Sequence, residues 1–109
     1  MNEFELICDS YLQWLQQSML FENVKRTRRP ASNVALASNY DVTRNGIKYV
    51  IYLSITFKTD SVVSSIRVVQ SKVGNKPRKV IFKESLNFTS TWNDLLQWYE
   101  NLTYNVFRN

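Results

Sequence analysis

Large apolar side chains alternate strictly with other residues between positions 47 and 57. The odd-numbered positions carry Ile47, Tyr49, Ile51, Leu53, Ile55 and Phe57. A period of two predicts a β-strand with one face against a core and the other face turned away from it. The preceding Asn45 and Gly46 favour a two-residue type I′ hairpin turn, because both tolerate a positive φ. The pattern therefore predicts that residues 34–44 pair with this strand, with Arg44 opposite Ile47.

The rest of the chain predicts two helices and further strands. Apolar residues recur at intervals of three and four over about residues 2–19 and 91–107, which is typical of amphipathic helices. Thr91 and Asp94 resemble a capping box at the start of the second helix. Weaker alternation predicts strands over residues 62–73 and 78–88, whereas residues 20–29 fit either a short strand or a loop.

These elements indicate one α+β domain over residues 1–109. Hairpin connections make neighbouring strands antiparallel, and an antiparallel sheet needs cover on only one face. The sequence predicts an antiparallel β-meander of four to five strands, covered on one face by an N-terminal and a C-terminal α-helix. The strand at residues 78–88 is expected to turn Val80, Phe82, Leu86 and Phe88 toward the core.

Composition favours a soluble, intracellular protein. No apolar run approaches the roughly 20 residues that a membrane helix needs. The first residues are acidic, so we expect no secretory signal, no membrane association and a cytoplasmic location. Cys8 is the one cysteine, which fits a reducing compartment, and its place on an apolar helix face predicts a buried, unreactive thiol.

Charge is distributed unevenly along the chain. The net charge is +5, but residues 23–88 carry +10 and residues 1–22 carry −4. This division predicts a basic pole and an acidic pole. The densest run has four cations within residues 25–29. A proline and several polar residues follow it, which favours a loop or a frayed edge strand at this run.

The basic residues suggest nucleic acid as the partner. Cations on the uncovered sheet face would contact phosphates while an aromatic ring stacks on a base, with modest sequence specificity. The candidate contacts in the dense run are Lys25, Arg26, Arg28 and Arg29. Those predicted on or beside the open face are Lys48, Tyr52, Lys58, Arg67, Lys79 and Lys83.

Two interpretations without nucleic acid stay open. Lysine and arginine on an exposed sheet face also serve only to keep it soluble and unpaired. Alternatively, the protein is an inhibitor or adaptor that places its basic face on an acidic protein surface. It would otherwise use the helix surface at Trp98, which lies off the apolar stripe and is predicted to be exposed. Such a surface would also allow a homodimer.

Catalysis has little support in the sequence. Without histidine and with a single cysteine, the common metal sites and Cys-His or Ser-His chemistry have no residues to build them. We therefore expect neither a cofactor nor a metal. One enzymatic alternative is a histidine-free ribonuclease, by analogy with small basic toxin ribonucleases. It would use Lys48, Tyr52 and Arg67 to position RNA and stabilise charge.

Overall fold

A computed structural model describes residues 3–28, 35–72 and 74–108. Its elements are α1 (Glu3–Gln17), β1 (Asn23–Arg28), β2 (Ala35–Arg44), β3 (Ile47–Phe57), β4 (Val62–Gln70), β5 (Lys79–Asn87) and α2 (Trp92–Phe107). The five strands form one antiparallel sheet in sequence order. The predicted α+β meander with two terminal helices is confirmed, and the uncertain segment before residue 29 supplies the fifth strand.

The hairpin between β2 and β3 forms as its turn residues predict. Asn45 and Gly46 both have a positive φ, at 52° and 77°, and Arg44 pairs with Ile47. The predicted register holds for every described pair, from Arg44 with Ile47 to Ala35 with Thr56, whereas residue 34 lies outside the described residues. The middle of the odd-numbered face of β3 is fully buried. Thr91 and Asp94 also form the predicted capping box, with each side chain accepting a hydrogen bond from the other residue's backbone N–H.

Both helices pack on the same side of the sheet, and tyrosines hold them together. The Tyr11 ring of α1 lies 5.0 Å from that of Tyr40 on β2 and 6.1 Å from that of Tyr99 on α2, centroid to centroid. Tyr11 Oη is 2.6 Å from Thr103 Oγ1, which itself donates to the carbonyl of Tyr99, so Tyr11 is the donor in that pair. Thr103 is therefore part of the buried face of α2, although the sequence pattern assigned only apolar residues to that face.

The first helix is shorter than its periodicity predicts. It ends at Gln17, and Met19 has a left-handed φ of 65° with its side chain 91% exposed. Ser18 Oγ donates to the carbonyl of Leu15 and accepts from the N–H of Leu20, so it satisfies backbone groups at the helix end. Among the described residues, neither helix has the length and apolar character needed to cross a membrane.

The last strand differs from the prediction, because the helices do not cover it. Every residue of β5 is exposed except Phe82, which is half-buried. Val80 is 52% exposed and Leu86 is 41% exposed, so their predicted burial is wrong. The helices instead pack over the first four strands, where α1 contacts β1 and β2 and α2 reaches Tyr49 and Ser64.

A β-bulge also changes which way β5 turns its side chains. Val68 pairs with Phe82 but Val69 pairs with Val80, so Ile81 is an extra residue in β5. Beyond the bulge the alternation is shifted by one residue, and Lys79 pairs with Gln70.

Candidate functional site

The sheet face that the helices leave open carries an aligned row of polar side chains. The register places Thr27, Asn39, Tyr52, Arg67 and Lys83 next to one another across all five strands. Directly opposite residues in an antiparallel sheet turn their side chains to the same face. Three of the predicted contact residues therefore lie in one line at the centre of the open face and toward its β5 edge.

Two arginines surround the Tyr52 side chain. The guanidinium carbon of Arg67 lies 4.5 Å from the centroid of the Tyr52 ring, in a cation–π contact. Arg78 Nη2 donates a hydrogen bond of 2.6 Å to Tyr52 Oη. The sequence pattern placed Tyr52 and Arg67 on this face but did not name Arg78 among the candidate contacts. Arg78 is thus a residue that the structure adds to the site.

A groove crosses the sheet beside this row. Its floor is made of small residues on four successive strands, Ala37, Ser54, Ser65 and Ser85. Its wall is made of Tyr52, Arg67 and Lys83, and its volume is about 390 Å³. We call this feature the transverse groove. None of the described residues that line it is acidic, so Arg67 and Lys83 are the charged groups of its lining.

The serine floor supplies hydrogen-bonding groups inside the transverse groove. Ser54 Oγ and Ser65 Oγ are 2.5 Å apart and share one hydrogen bond. Each hydroxyl has one hydrogen and two acceptor lone pairs, so this pair keeps one hydrogen and further lone pairs for a ligand. The groove thus combines cations on its wall with neutral donors and acceptors on its floor.

A second group of charges lies on the open face near the β2–β3 turn, on the other side of Tyr52 from the serine floor. Lys25 is directly opposite Asp41 on β2, and Lys48 lines the same shallow depression. Asp41 is the one acidic residue that the register places on the open face among the described strand residues. Lys48 is four residues from Tyr52 along β3, about 13 Å at 3.3 Å per residue. It lies outside the transverse groove, so the three residues of the ribonuclease hypothesis do not meet in one pocket.

Arg26 lies on the other side of the sheet and belongs to the protein's internal structure. Its guanidinium bonds Glu5 Oε2 at 2.9 Å and Asp9 Oδ1 at 2.7 Å, both on α1, and Ser38 Oγ at 2.7 Å. The Arg26 side chain is only 5% exposed. Desolvation by burial is the largest single effect and lowers the pKa of Arg26, but the hydrogen bond to Glu5 and the charge interactions around the guanidinium together outweigh it, so the pKa is raised above its ordinary value.

This contact corrects two expectations. Arg26 was expected in a basic loop or frayed edge strand with free access to phosphate, yet it lies in the middle of strand β1 and is paired. Glu5 and Asp9 were expected to form part of an acidic pole, yet they meet a cation of the basic segment. The sequence did contain a signal for this ion pair. Two carboxylates four residues apart on α1 share one helix face, and Arg26 shares its strand face with Val24.

The remaining basic candidates are dispersed. The Arg28 side chain and all of Arg29 lie outside the described part of the chain. Lys58 is exposed just beyond the end of β3. Lys79 was expected on the open face, but the bulge in β5 pairs it with Gln70, which is opposite Tyr49 on the helix-covered side. The transverse groove therefore unites only part of the predicted set.

Trp98 does not provide the exposed surface that its position on the helical wheel predicts. It is half-buried, packs against the core, and its ring centroid lies 5.5 Å from that of Tyr99. Its indole thus contributes to the attachment of α2, and this packing weakens the case for Trp98 as an interface anchor. More exposed apolar groups lie on β5, where Val80, Ile81 and Leu86 are all more than a third exposed.

Cysteine chemistry and metal binding find no support among the described residues. Cys8 is fully buried, and burial raises the pKa of its thiol, which disfavours the reactive thiolate. No group of three or more potential metal ligands comes together in residues 3–28, 35–72 and 74–108.

Comparison of the chain with protein-family models, with curated proteins and with solved structures found no match.

Proposed function

We propose that this protein binds nucleic acid through the open face of its sheet, chiefly through phosphate contacts. The observation that carries the proposal is the transverse groove, in which Arg67 and Lys83 lie beside Tyr52 with no described carboxylate in the lining. Arginine and lysine on a surface without acidic neighbours attract phosphates, and an aromatic ring adds a stacking surface for a base.

The distribution of charge between the two sides of the sheet supports the same proposal. The carboxylates of Glu5 and Asp9 are bound to Arg26 on the helix side, where they do not offset the cations of the open face. Lys25 and Lys48 extend the basic surface beyond the groove, and Asp41 is its one described acidic strand residue. The open face therefore carries an excess of positive charge, which attracts a negatively charged ligand.

The salt dependence of binding tests the proposal. Fluorescence anisotropy with labelled DNA and RNA should show an affinity that falls steeply as salt rises, because phosphate contacts release counterions. Arg67→Ala and Lys83→Ala should each reduce the slope of log K against log salt by about 1. Arg108→Ala is the matched control, because it removes an exposed cation at the end of α2. No binding at low salt, or an equal effect of the control, would exclude this face as a nucleic-acid site.

A protein partner is the second candidate, favoured by the exposed strand β5. Its outer edge has no strand partner among the described residues, and Val80, Ile81 and Leu86 add exposed apolar area to it. An unpaired edge strand can accept an extended segment of another protein by strand addition. This alternative predicts no salt-sensitive binding of nucleic acid, together with a protein partner whose binding is lost in Ile81→Lys.

A further inference from the structure

The small-residue floor of the transverse groove continues across four strands. Ala37, Ser54, Ser65 and Ser85 follow one another from β2 to β5, which spans about 14 Å at roughly 4.8 Å between strands. A path of this length corresponds to at most about four stacked nucleotides, at 3.4 Å per nucleotide. The path is a trough rather than a flat surface because the residues of the neighbouring row, including Tyr52 and Arg67, are larger.

We propose that the transverse groove binds single-stranded nucleic acid, with an unpaired base on the serine floor and the adjoining phosphates on Arg67 and Lys83. This inference rests on the proposed function and names the form of nucleic acid that the face selects. Phosphate contacts alone would not distinguish a single strand from a duplex, because both present phosphates. The distinction comes from the neutral part of the site.

The chemistry of the floor suits the edge of a base. The Ser54 and Ser65 pair keeps one hydroxyl hydrogen and several lone pairs, and Ser85 adds another hydroxyl in the same line. Hydroxyls that both donate and accept can bond to any of the base edges, so the floor should tolerate several bases. The groove volume of about 390 Å³ lies near the lower limit for pockets that hold small organic ligands.

The wall of the groove is held in place before a ligand arrives. Arg67 lies over the Tyr52 ring, and Arg78 bonds its hydroxyl, so the ring is restrained from two directions. A side chain that is already ordered loses less entropy on binding. Stacking of unpaired bases on aromatic rings or guanidinium planes is the usual means by which proteins recognise single strands.

A duplex cannot use the floor without losing base pairing. Its bases are stacked inside the helix, and their pairing edges are occupied. Moving one base out of the duplex into a protein site costs enough to lower affinity by roughly 100-fold. We therefore expect single strands to bind at least about tenfold more tightly than duplexes of the same length and sequence, for RNA or for DNA.

Filling the floor without changing any charge tests the inference. Ser65→Leu places a larger apolar side chain in the middle of the groove, and Ser85→Leu does the same on β5. Val63→Leu is the matched control, because Val63 lies on the same strand and face, two residues from Ser65, and does not line the groove. Circular dichroism establishes that each variant is folded. Anisotropy with labelled oligonucleotides of about 12 nucleotides, single-stranded and duplex, then gives the affinities.

The outcomes separate the inference from the proposed function. The inference predicts that Ser65→Leu and Ser85→Leu weaken single-strand binding about tenfold or more, while Val63→Leu stays within about twofold. If nucleic acid binds but duplex binds as tightly as single strands, or if both floor variants bind like the wild type, the inference is overturned and the proposed function stands. If neither form of nucleic acid binds at low salt, the proposed function fails and the inference falls with it.

Discussion

Replacing Arg26 with methionine tests whether this cation is part of the folded structure. Arg26→Met removes the charge and the three hydrogen bonds to Glu5, Asp9 and Ser38, but keeps an unbranched apolar side chain that can occupy the same channel. The two carboxylates of α1 would then face β1 without their cation. The variant should therefore fold less stably, because the contact joins the first helix to the first strand.

The size of the loss follows from the burial of the partners. Breaking a fully buried ion pair by removing one partner typically costs about 3–5 kcal/mol, since an uncompensated charge stays buried. Here the carboxylate side chains of Glu5 and Asp9 are 28% and 42% exposed, so water can partly solvate them. We expect a loss of about 2–3 kcal/mol in the free energy of unfolding, below the fully buried value and above the 0–1 kcal/mol of surface pairs.

Urea denaturation measures this loss. At an m-value of about 1.5 kcal/mol/M the midpoint should fall by roughly 1.5 M, with the slope unchanged. Lys25→Met is the control, since Lys25 is the preceding residue of β1, exposed on the opposite face, and should lose no more than about 1 kcal/mol. A loss below about 0.5 kcal/mol for Arg26→Met would refute the structural role. The variant should also keep the salt dependence of nucleic-acid binding unchanged.

Three further predictions concern stability. Met19→Gly should raise the melting temperature by about 4 °C in calorimetry, because glycine adopts a φ of 65° without steric strain and the lost side chain is 91% exposed. No increase would argue against strain at this residue. Gly46→Ala should cost about 1 kcal/mol in urea, because alanine disfavours a φ of +77°, and a neutral result would contradict the turn geometry. Burial raises the pKa of Tyr11, Tyr40 and Tyr99 above the ordinary value of 10.0, so the stability they contribute is complete below pH 10 and is lost as the pH rises toward their folded pKa values. The free energy of unfolding, measured by urea denaturation, should thus fall above pH 10 by up to about 4 kcal/mol per pH unit, and less steeply in Tyr11→Phe. A flat profile would contradict the burial of these tyrosines.

Parts of the candidate site could be predicted from the alternation of residues in each strand. Tyr52, Arg67 and Lys83 occupy positions that a period of two places on one face, and the structure sets them side by side. The order of elements could be predicted for the same reason, since periodicity and capping depend on residues close in the chain. Asn45 and Gly46 were sufficient to define the register of β2 against β3, because turn geometry is a local property.

Other features depended on contacts between distant segments. The pairing of Arg26 with two carboxylates of α1 needs the helix to lie across β1, which no local pattern specifies. The bulge that moves Lys79 off the open face and Val80 onto it depends on how β5 aligns with β4, and the exposure of Leu86 depends on how far the helices extend over the sheet. Arg78 likewise reaches Tyr52 only through the folded turn before β5.

The sequence by itself determined four of the five strands, both helices, their order and the face on which most side chains lie, because each of these follows from the geometry of a few consecutive residues. It left β1 open between a strand and a loop. Tertiary structure decided which cations remain accessible and which are neutralised, and it formed the transverse groove by aligning four strands. The physical reason is that the environment of a charge depends on what packs against it. The acidic partners of Arg26, Asp9 and Glu5, lie 17 and 21 residues away in the chain.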